Sequence, residues 1–171
     1  MLLGSDDPIP TPFVNLGQTV LSEWIDGNGH MNVAFYLRAF DEGFDSAYRA
    51  IGLGYERIET SGFSTMSVDV HISYHRELFE AAPLRITTQL ADCDEKRAHW
   101  VQAMYHAEEG FLAATVEWLI LSIDMRQRKV APMPPDTLAL MRRVKAAHVG
   151  LAMPMELGRA LSIHGRPKRS A

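Results

Sequence analysis

The spacing of apolar positions changes along the chain, and each spacing predicts a different element. From Val33 to Ile51 the apolar residues Val33, Tyr36, Leu37, Phe40, Phe44, Ala47, Tyr48 and Ile51 recur at three- and four-residue steps, with Arg38, Asp41, Glu42, Asp45 and Arg49 between them. That pattern predicts a helix with a broad apolar stripe, about 30 Å long and stopped by Gly52 and Gly54. From Phe63 to Tyr74 the period is two: Met66, Val68, Val70, Ile72 and Tyr74 share one face, Thr65, Ser67, Asp69, His71 and Ser73 the other. Runs over Leu84–Leu90, Arg97–His106 and Phe111–Ile123 follow, joined by Asp92-Cys93-Asp94-Glu95 and Ala107-Glu108-Glu109-Gly110. Short turns between consecutive strands predict an antiparallel meander. Ahead of the helix, Gln18 to Ile25 reads as a short strand with Val20 and Leu21 at its centre. Behind the sheet come Pro132, Pro134 and Pro135, then Asp136 as the cap of a helix from Thr137 to about His148 with a basic face of Arg142, Arg143 and Lys145.

This order divides the chain into an N-terminal arm over 1–16, a main domain over 17–126, and a C-terminal helix and tail over 127–171. Pro8, Pro10 and Pro12 keep the arm extended on the surface. The tail beyond Pro154 has no periodic pattern and is expected to be mobile. One strand, one long helix and a run of strands make an α+β protein whose helix is buried against the sheet.

Composition narrows the function classes. At 171 residues, 47% hydrophobic and 22% charged, the chain can bury a core without staples. A net charge of -4 and a pI near 6.0 give no basic field for nucleic acid. The lone Cys93 forms no intramolecular disulfide and suits a reducing compartment. With no basic, apolar leader and no run of membrane-span length, the expectation is a soluble cytoplasmic protein. Seven histidines call for a check on metal, but His71 and His75 are too far apart to share an ion and no zinc spacing occurs. Cys93 lies in an acidic turn, a poor setting for a thiolate, and there is no Gly-x-Ser-x-Gly elbow or phosphate loop.

The chemistry is concentrated in Trp24-Ile25-Asp26-Gly27-Asn28-Gly29-His30-Met31-Asn32, directly before the long helix. Gly27 and Gly29 allow a tight path with φ > 0, and a helix starting near Asn32 aims unpaired N–H groups at that path. An aspartate there sits in a field that favours negative charge. In the plain reading Asp26 and Asn28 shape a turn and Asn32 caps the helix.

In its strand-to-helix setting, Asp26-x-x-Gly29-His30-x-Asn32-x-x-x-Tyr36 resembles the motif of thioesterases of the 4-hydroxybenzoyl-CoA thioesterase type, and the order of elements over 17–126 resembles the hot-dog fold, a curved antiparallel sheet wrapped around a long central helix. The resemblance implies an acyl-CoA thioesterase in which Asp26 is base or nucleophile, and a homodimer or homotetramer. Backbone N–H groups of Gly29, His30 and Met31 are then the candidate polarisers of the thioester oxygen, with His30 holding the loop or helping move a proton. Asn28, Asn32 and Tyr36 of the motif, and Thr65 and Ser67 on the polar face of their strand, are candidates to orient substrate or water. Lys96 and Arg97, with the basic face of the last helix, are candidates for coenzyme A phosphates. Coenzyme A enters as part of the substrate, and no metal or separate cofactor is expected. Asp41 and Glu42 are secondary carboxylates on the helix, first read as a solvated face, and Glu77 stands just past the second strand.

The run Trp-Ile-Asp-x-Asn-Gly-His-Met-Asn and Asp94-x-Lys96-Arg97-x-His99 are similar to betainyl-CoA thioesterases. A trimethylammonium acyl group wants aromatic faces, for which Trp24, Phe35, Tyr36, Trp100 and Trp118 are candidates or simply core. Two alternatives stay open: an (R)-specific enoyl-CoA hydratase of the same fold, whose loop pairs Asp with His, and a non-catalytic acyl-CoA-binding protein.

Overall fold

The long helix forms where the apolar spacing puts it, over Val33–Ala50 (α1) in a computed structural model that describes residues 2–4 and 6–153. Asn32 caps it: its side-chain oxygen accepts the Ala34 N–H at 3.0 Å. Gly52, at φ 77, takes the left-handed turn that ends it. The stripe Tyr36, Ala39, Phe40, Gly43, Phe44, Ala47 and Tyr48 is buried. Gly43 sets how closely helix and sheet approach, since a Cβ there would stand 3.0 Å from Ile86 Cγ2 and 3.3 Å from Gln102 Nε2.

The sheet is built from Phe13–Thr19 (β1), Phe63–Tyr74 (β2), Pro83–Cys93 (β3), Arg97–His106 (β4), Leu112–Asp124 (β5) and Lys129–Val130 (β6), with two further helices, Glu56–Ser61 (α2) and Pro135–His148 (α3). Its strand order is β1-β3-β4-β5-β2, all pairs antiparallel, with β6 on β5. The expected meander therefore holds only for β3, β4 and β5; β2 crosses to the far side of β5. The reason lies in residues 75–82, which cross at the start of α1 instead of closing a hairpin. Leu78 there is 1% exposed; its N–H donates to the Tyr36 hydroxyl at 3.2 Å and its carbonyl accepts the Met31 N–H at 2.8 Å. The result is a curved sheet around a helix, the hot-dog arrangement.

The first strand begins at Phe13, inside the segment expected to be an arm, and ends before Val20. Phe13 is buried and pairs with Thr88, while Ser22–Trp24 turn as a single 3-10 helix. Val20 pairs with the crossover segment, its N–H on Ala82 O and its carbonyl taking Ala81 N–H. Arg143 holds the arm by donating to Gly4 O and Asp7 O.

In β2 the simple alternation is broken by a register shift between Ser67 and Asp69. Before it, Thr65 and Ser67 pair with the buried Ser122 and Ile120; after it, Val70 and Ile72 pair with the buried Trp118 and Val116. Directly paired residues share a face. One bulged residue thus turns Thr65 and Ser67 inward and leaves Met66 and Val68 on the outer face, 37% and 53% exposed.

Two buried polar side chains, Gln102 and His148, are paired within the core. Gln102 donates to Phe40 O and Thr88 Oγ1 and accepts from Trp118 Nε1 at 2.8 Å. His148, 1% exposed, accepts the Leu90 N–H on Nδ1 at 2.9 Å and donates from Nε2 to Pro10 O at 2.9 Å. That clamp ties α3 to both β3 and the arm. Helix α3 starts two residues earlier than expected: Pro134 is its N-cap, while Asp136 pairs with Arg57. The tail beyond Pro154 lies outside the described residues.

Candidate active site

The loop before α1 is a small closed hairpin. Ile25 and Met31 form an antiparallel bridge, Asp26 N–H donates to His30 O at 3.1 Å, and Asn32 N–H to Trp24 O at 2.8 Å. Gly29 sits at φ 81, the conformation its position demands; Gly27 stays outside the left-handed region. Trp24 is 4% exposed and stacks on Phe35, ring centroids 5.5 Å apart, so an aromatic pair anchors the loop to the helix.

Asp26 projects from this hairpin, half-buried. Its Oδ1 accepts the Asn28 N–H at 2.8 Å and its Oδ2 the Asn32 side-chain amide at 3.3 Å. Asn28 and Asn32 are thus positioners of the carboxylate, and Asn32 fixes Asp26 and the helix start with one side chain. Each carboxylate oxygen has two lone pairs, so both keep acceptor capacity toward a substrate or water.

The expected row of polarising N–H groups needs correction. Gly29 N–H is bonded to Asp26 O at 2.9 Å and Met31 N–H to Leu78 O at 2.8 Å, so neither points a donor at a ligand. Closing the hairpin and docking the crossover both consume backbone donors. Of the three, His30 N–H alone has no acceptor among the described residues. The His30 ring lies between Met31 O, 3.2 Å from Nδ1, and Glu77, 3.8 Å from Nε2, and so holds the loop against the crossover. Tyr36 is buried beneath it, its hydroxyl engaged by Leu78 and pushed above the usual phenol range by burial. Tyr36 therefore shapes the floor, its hydroxyl accepting from Leu78 while its O–H has no acceptor among the described residues. At the mouth Tyr74, exposed, donates to Val33 O at 3.3 Å.

The remaining candidates stand elsewhere. Thr65 and Ser67 line a cavity beside the second half of α1 together with Asp41, Phe44 and Tyr48, not the Asp26 loop. Lys96 and Arg97 sit at the β3–β4 turn, whose Lys96 O accepts the Ser122 N–H, opposite the end of β2 that meets the start of α1. Arg97 is engaged there by Asp94, whose carboxyl it holds down to about 2. Of the basic face, Arg143 binds the arm and Lys145 pairs with Asp92, leaving Arg142. Within one chain, therefore, the proposed phosphate cations do not meet Asp26. Trp100 and Trp118 are core, 0% and 5% exposed. His75 bonds Thr115, and His71 and His99 flank Glu117 on the outer face. Among the described residues no group of three metal-ligating side chains converges, and no helix is long and apolar enough to cross a membrane.

The crossover residue Leu78, which closes the floor of the loop, was not singled out by sequence, since a lone leucine in a polar segment carries no pattern. Comparison with known proteins adds the following. The family model for the thioesterase-like superfamily matches residues 20–141. A betainyl-CoA thioesterase of Pseudomonas aeruginosa is 33% identical over 144 residues, 84% of this chain and 91% of that protein. An L-carnitine dehydrogenase/betainyl-CoA thioesterase of Rhizobium meliloti is 32% identical over 82% of this chain, which spans only 28% of that longer protein. A Staphylococcus aureus protein solved in complex with CoA superposes with a TM-score of 0.83 at 26% identity, over 93% of this chain and 99% of that one.

Proposed function

Because this chain belongs to the thioesterase-like superfamily and is an acyl-CoA thioesterase, we propose that Asp26 drives hydrolysis of the thioester as base or nucleophile. The observation that carries this is the position of its carboxylate, fixed by Asn28 N–H and the Asn32 amide at the start of α1. As base, Asp26 takes a proton from water while the water oxygen bonds to the carbonyl carbon; the tetrahedral intermediate then expels the CoA thiolate and the acid is released. As nucleophile, an Asp26 oxygen bonds to that carbon, the thiolate leaves, and water cleaves the resulting anhydride. Either way charge builds on the carbonyl oxygen, and its donor in this reading is the His30 N–H, which has no acceptor among the described residues. Both routes use Asp26 and water and call for no metal or redox cofactor; coenzyme A belongs to the substrate.

The finer reading is a small cationic acyl group of the betainyl kind, supported by the likeness to two betainyl-CoA thioesterases. A homodimer or homotetramer in the cytoplasm, with no nucleic-acid or membrane partner, completes the proposal. The free side of edge strand β2 and the exposed Met66 and Val68 beside it fit pairing with a second copy.

Thiol release from a panel of acyl-CoAs tests the reaction. Hydration of an enoyl-CoA without thiol release, or tight binding without turnover, would replace it. A single turnover in ¹⁸O-water leaves label in Asp26 only when an anhydride forms and water adds to its Asp26 carbonyl carbon, so label there establishes the nucleophilic route.

A further inference from the structure

A cavity of about 210 Å³ lies between the second half of α1, α2, the start of β2 and Met133–Met141. It is smaller than the roughly 300 Å³ at which drug-sized pockets begin, so it has room for a small group only. Its apolar lining mixes aliphatic side chains such as Leu53, Ile120 and Met133 with aromatic rings: Phe44 and Tyr48, ring centroids 4.4 Å apart, and Tyr55, 65% exposed.

Charge at the rim is unevenly compensated. Arg49 is held by Asp45 at 3.4 Å and Arg57 by Asp136 and Thr137. Glu42, next to Asp41 on the helix, pairs with Arg38 at 3.3 Å. Asp41 has no ion pair and no side-chain hydrogen bond among the described residues. Its carboxyl is pushed up by partial desolvation and then by the negative charges of Asp45 and Glu42. An uncompensated carboxylate over aromatic faces attracts a cation that is itself weakly hydrated.

We propose that this cavity holds a small quaternary ammonium group, its charge toward Asp41 and its methyl groups on Phe44, Tyr48 and Tyr55. The group can arrive on the acyl part of the substrate, a source that rests on the hydrolysis proposed above, or as a free cation. Asp41 stands nine positions beyond Asn32, about 13 Å along the axis. A two-carbon acyl group cannot span that distance. The acyl source therefore requires a second copy to bring the start of its own α1, with its Asp26, beside this cavity.

Calorimetry with tetramethylammonium chloride at low ionic strength, against a sodium chloride control, tests the site. Saturable binding is expected, weakened about tenfold in Asp41→Asn and also in Tyr55→Leu, where an exposed ring is removed without touching the core. Absence of saturable binding, or binding unchanged in both variants, overturns the proposal. The source is separated by the kcat/KM ratio of trimethylammonioacetyl-CoA to tert-butylacetyl-CoA, which differ by nitrogen for carbon. If the acyl group fills the cavity, the wild-type ratio exceeds about ten, both variants lower it, and tetramethylammonium competes with the cationic thioester. If tetramethylammonium binds but does not compete, the cavity takes a free cation. Thioester turnover with no binding refutes the cavity and leaves the hydrolysis intact; binding with no turnover of any thioester does the reverse.

Discussion

Two aspartates, Asp26 in the loop before α1 and Asp41 midway along the helix, sit in opposite electrical settings. Asp26, at the start, receives a backbone N–H and a side-chain amide in the field of a helix N-terminus, which favours negative charge. Asp41, mid-helix, receives no donor and faces Asp45 and Glu42. A carboxylate that is to react must be held in place, and the first arrangement holds it. The second leaves a charge unanswered, which suits attraction of a cation and not a reaction of its own. The two positions must therefore respond differently to the same substitutions.

The largest effect belongs to Asp26→Asn. The amide keeps the size of the side chain but cannot take a proton or form an anhydride, and one of its atoms would be an NH₂ facing Asn28 N–H or the Asn32 amide. Loss of a positioned acid–base group costs about 10²–10⁴ in rate, so kcat is expected to fall within that range with CoA affinity retained by calorimetry. Asp41→Asn, measured with a neutral acyl-CoA, is expected to lose less than about tenfold. Equal losses at both positions would erase the distinction and make Asp41 a partner in the chemistry.

Asn32 separates holding from capping. Asn32→Ala removes the oxygen that accepts Ala34 N–H as well as the amide that donates to Asp26. Stability should fall by about 1 kcal/mol in urea titrations, and kcat by roughly tenfold or more as the carboxylate loosens. Asn32→Asp keeps the cap but sets a second carboxylate against Asp26. It should therefore retain most of the stability while losing activity. An active Asn32→Asp enzyme would show that the bond to Asp26 does not position it.

Why one site was legible and the other was not follows from how each is encoded. The Asp26 hairpin is local: its acid, glycine, cap and helix start fall within Asp26–Val33, so spacing alone placed them. The boundaries of α1, β2 and β4 were equally readable, because a strong period of 3.6 or two runs unbroken to a glycine or a turn. The cavity draws Asp41 and Tyr48 from α1, Tyr55 from the connection to α2, Thr65 from β2 and Ser122 from β5, and no linear pattern joins them. The bulge in β2 hid it further. Met66 and Val68 continue the apolar alternation of Val70 and Ile72, yet the register shift puts them outside and turns Thr65 and Ser67 in. The crossover of 75–82 was misread for a related reason: a polar segment of hairpin length does not announce that Leu78 will be buried under a distant helix. The donors at Gly29 and Met31 were overcounted because sequence shows which N–H groups exist, but not which carbonyls reach them.

Comparing the two aspartates across pH requires knowing when the scaffold itself weakens. His148 is buried with Nδ1 accepting from Leu90, which needs the neutral ring, and burial lowers its pKa below 6.5. The unfolded chain therefore binds a proton that the folded one resists. Its contribution to stability is complete above about pH 6.5 and is lost as pH falls through the lower folded value. Urea midpoints should drop on acidification through that window. His148→Gln should be less stable at pH 7.5 but show a flatter dependence between 7.5 and 5.5; an unchanged slope would assign the acid sensitivity elsewhere.

The smallest effect is the most direct reading of the electrical contrast. Asp41 has its folded pKa raised, by desolvation first and by Asp45 and Glu42 next. A raised acid favours the folded state only while protonated, so that advantage exists below its unfolded value near 3.8 and is gone once pH rises through the folded one. At neutral pH the charged carboxylate opposes folding, and Asp41→Asn should stabilise the protein. The gain is held under about 0.5 kcal/mol because the group is partly exposed and its repulsions are screened, and it should shrink as salt is added. At Asp26 the same substitution exchanges an acceptor for a donor among groups that donate to it, and the expected sign is opposite. Melting temperatures of the two variants at low and high salt therefore suffice: a destabilised Asp41→Asn would mean that its carboxylate already has a partner, and the case for a cation at that cavity would go with it.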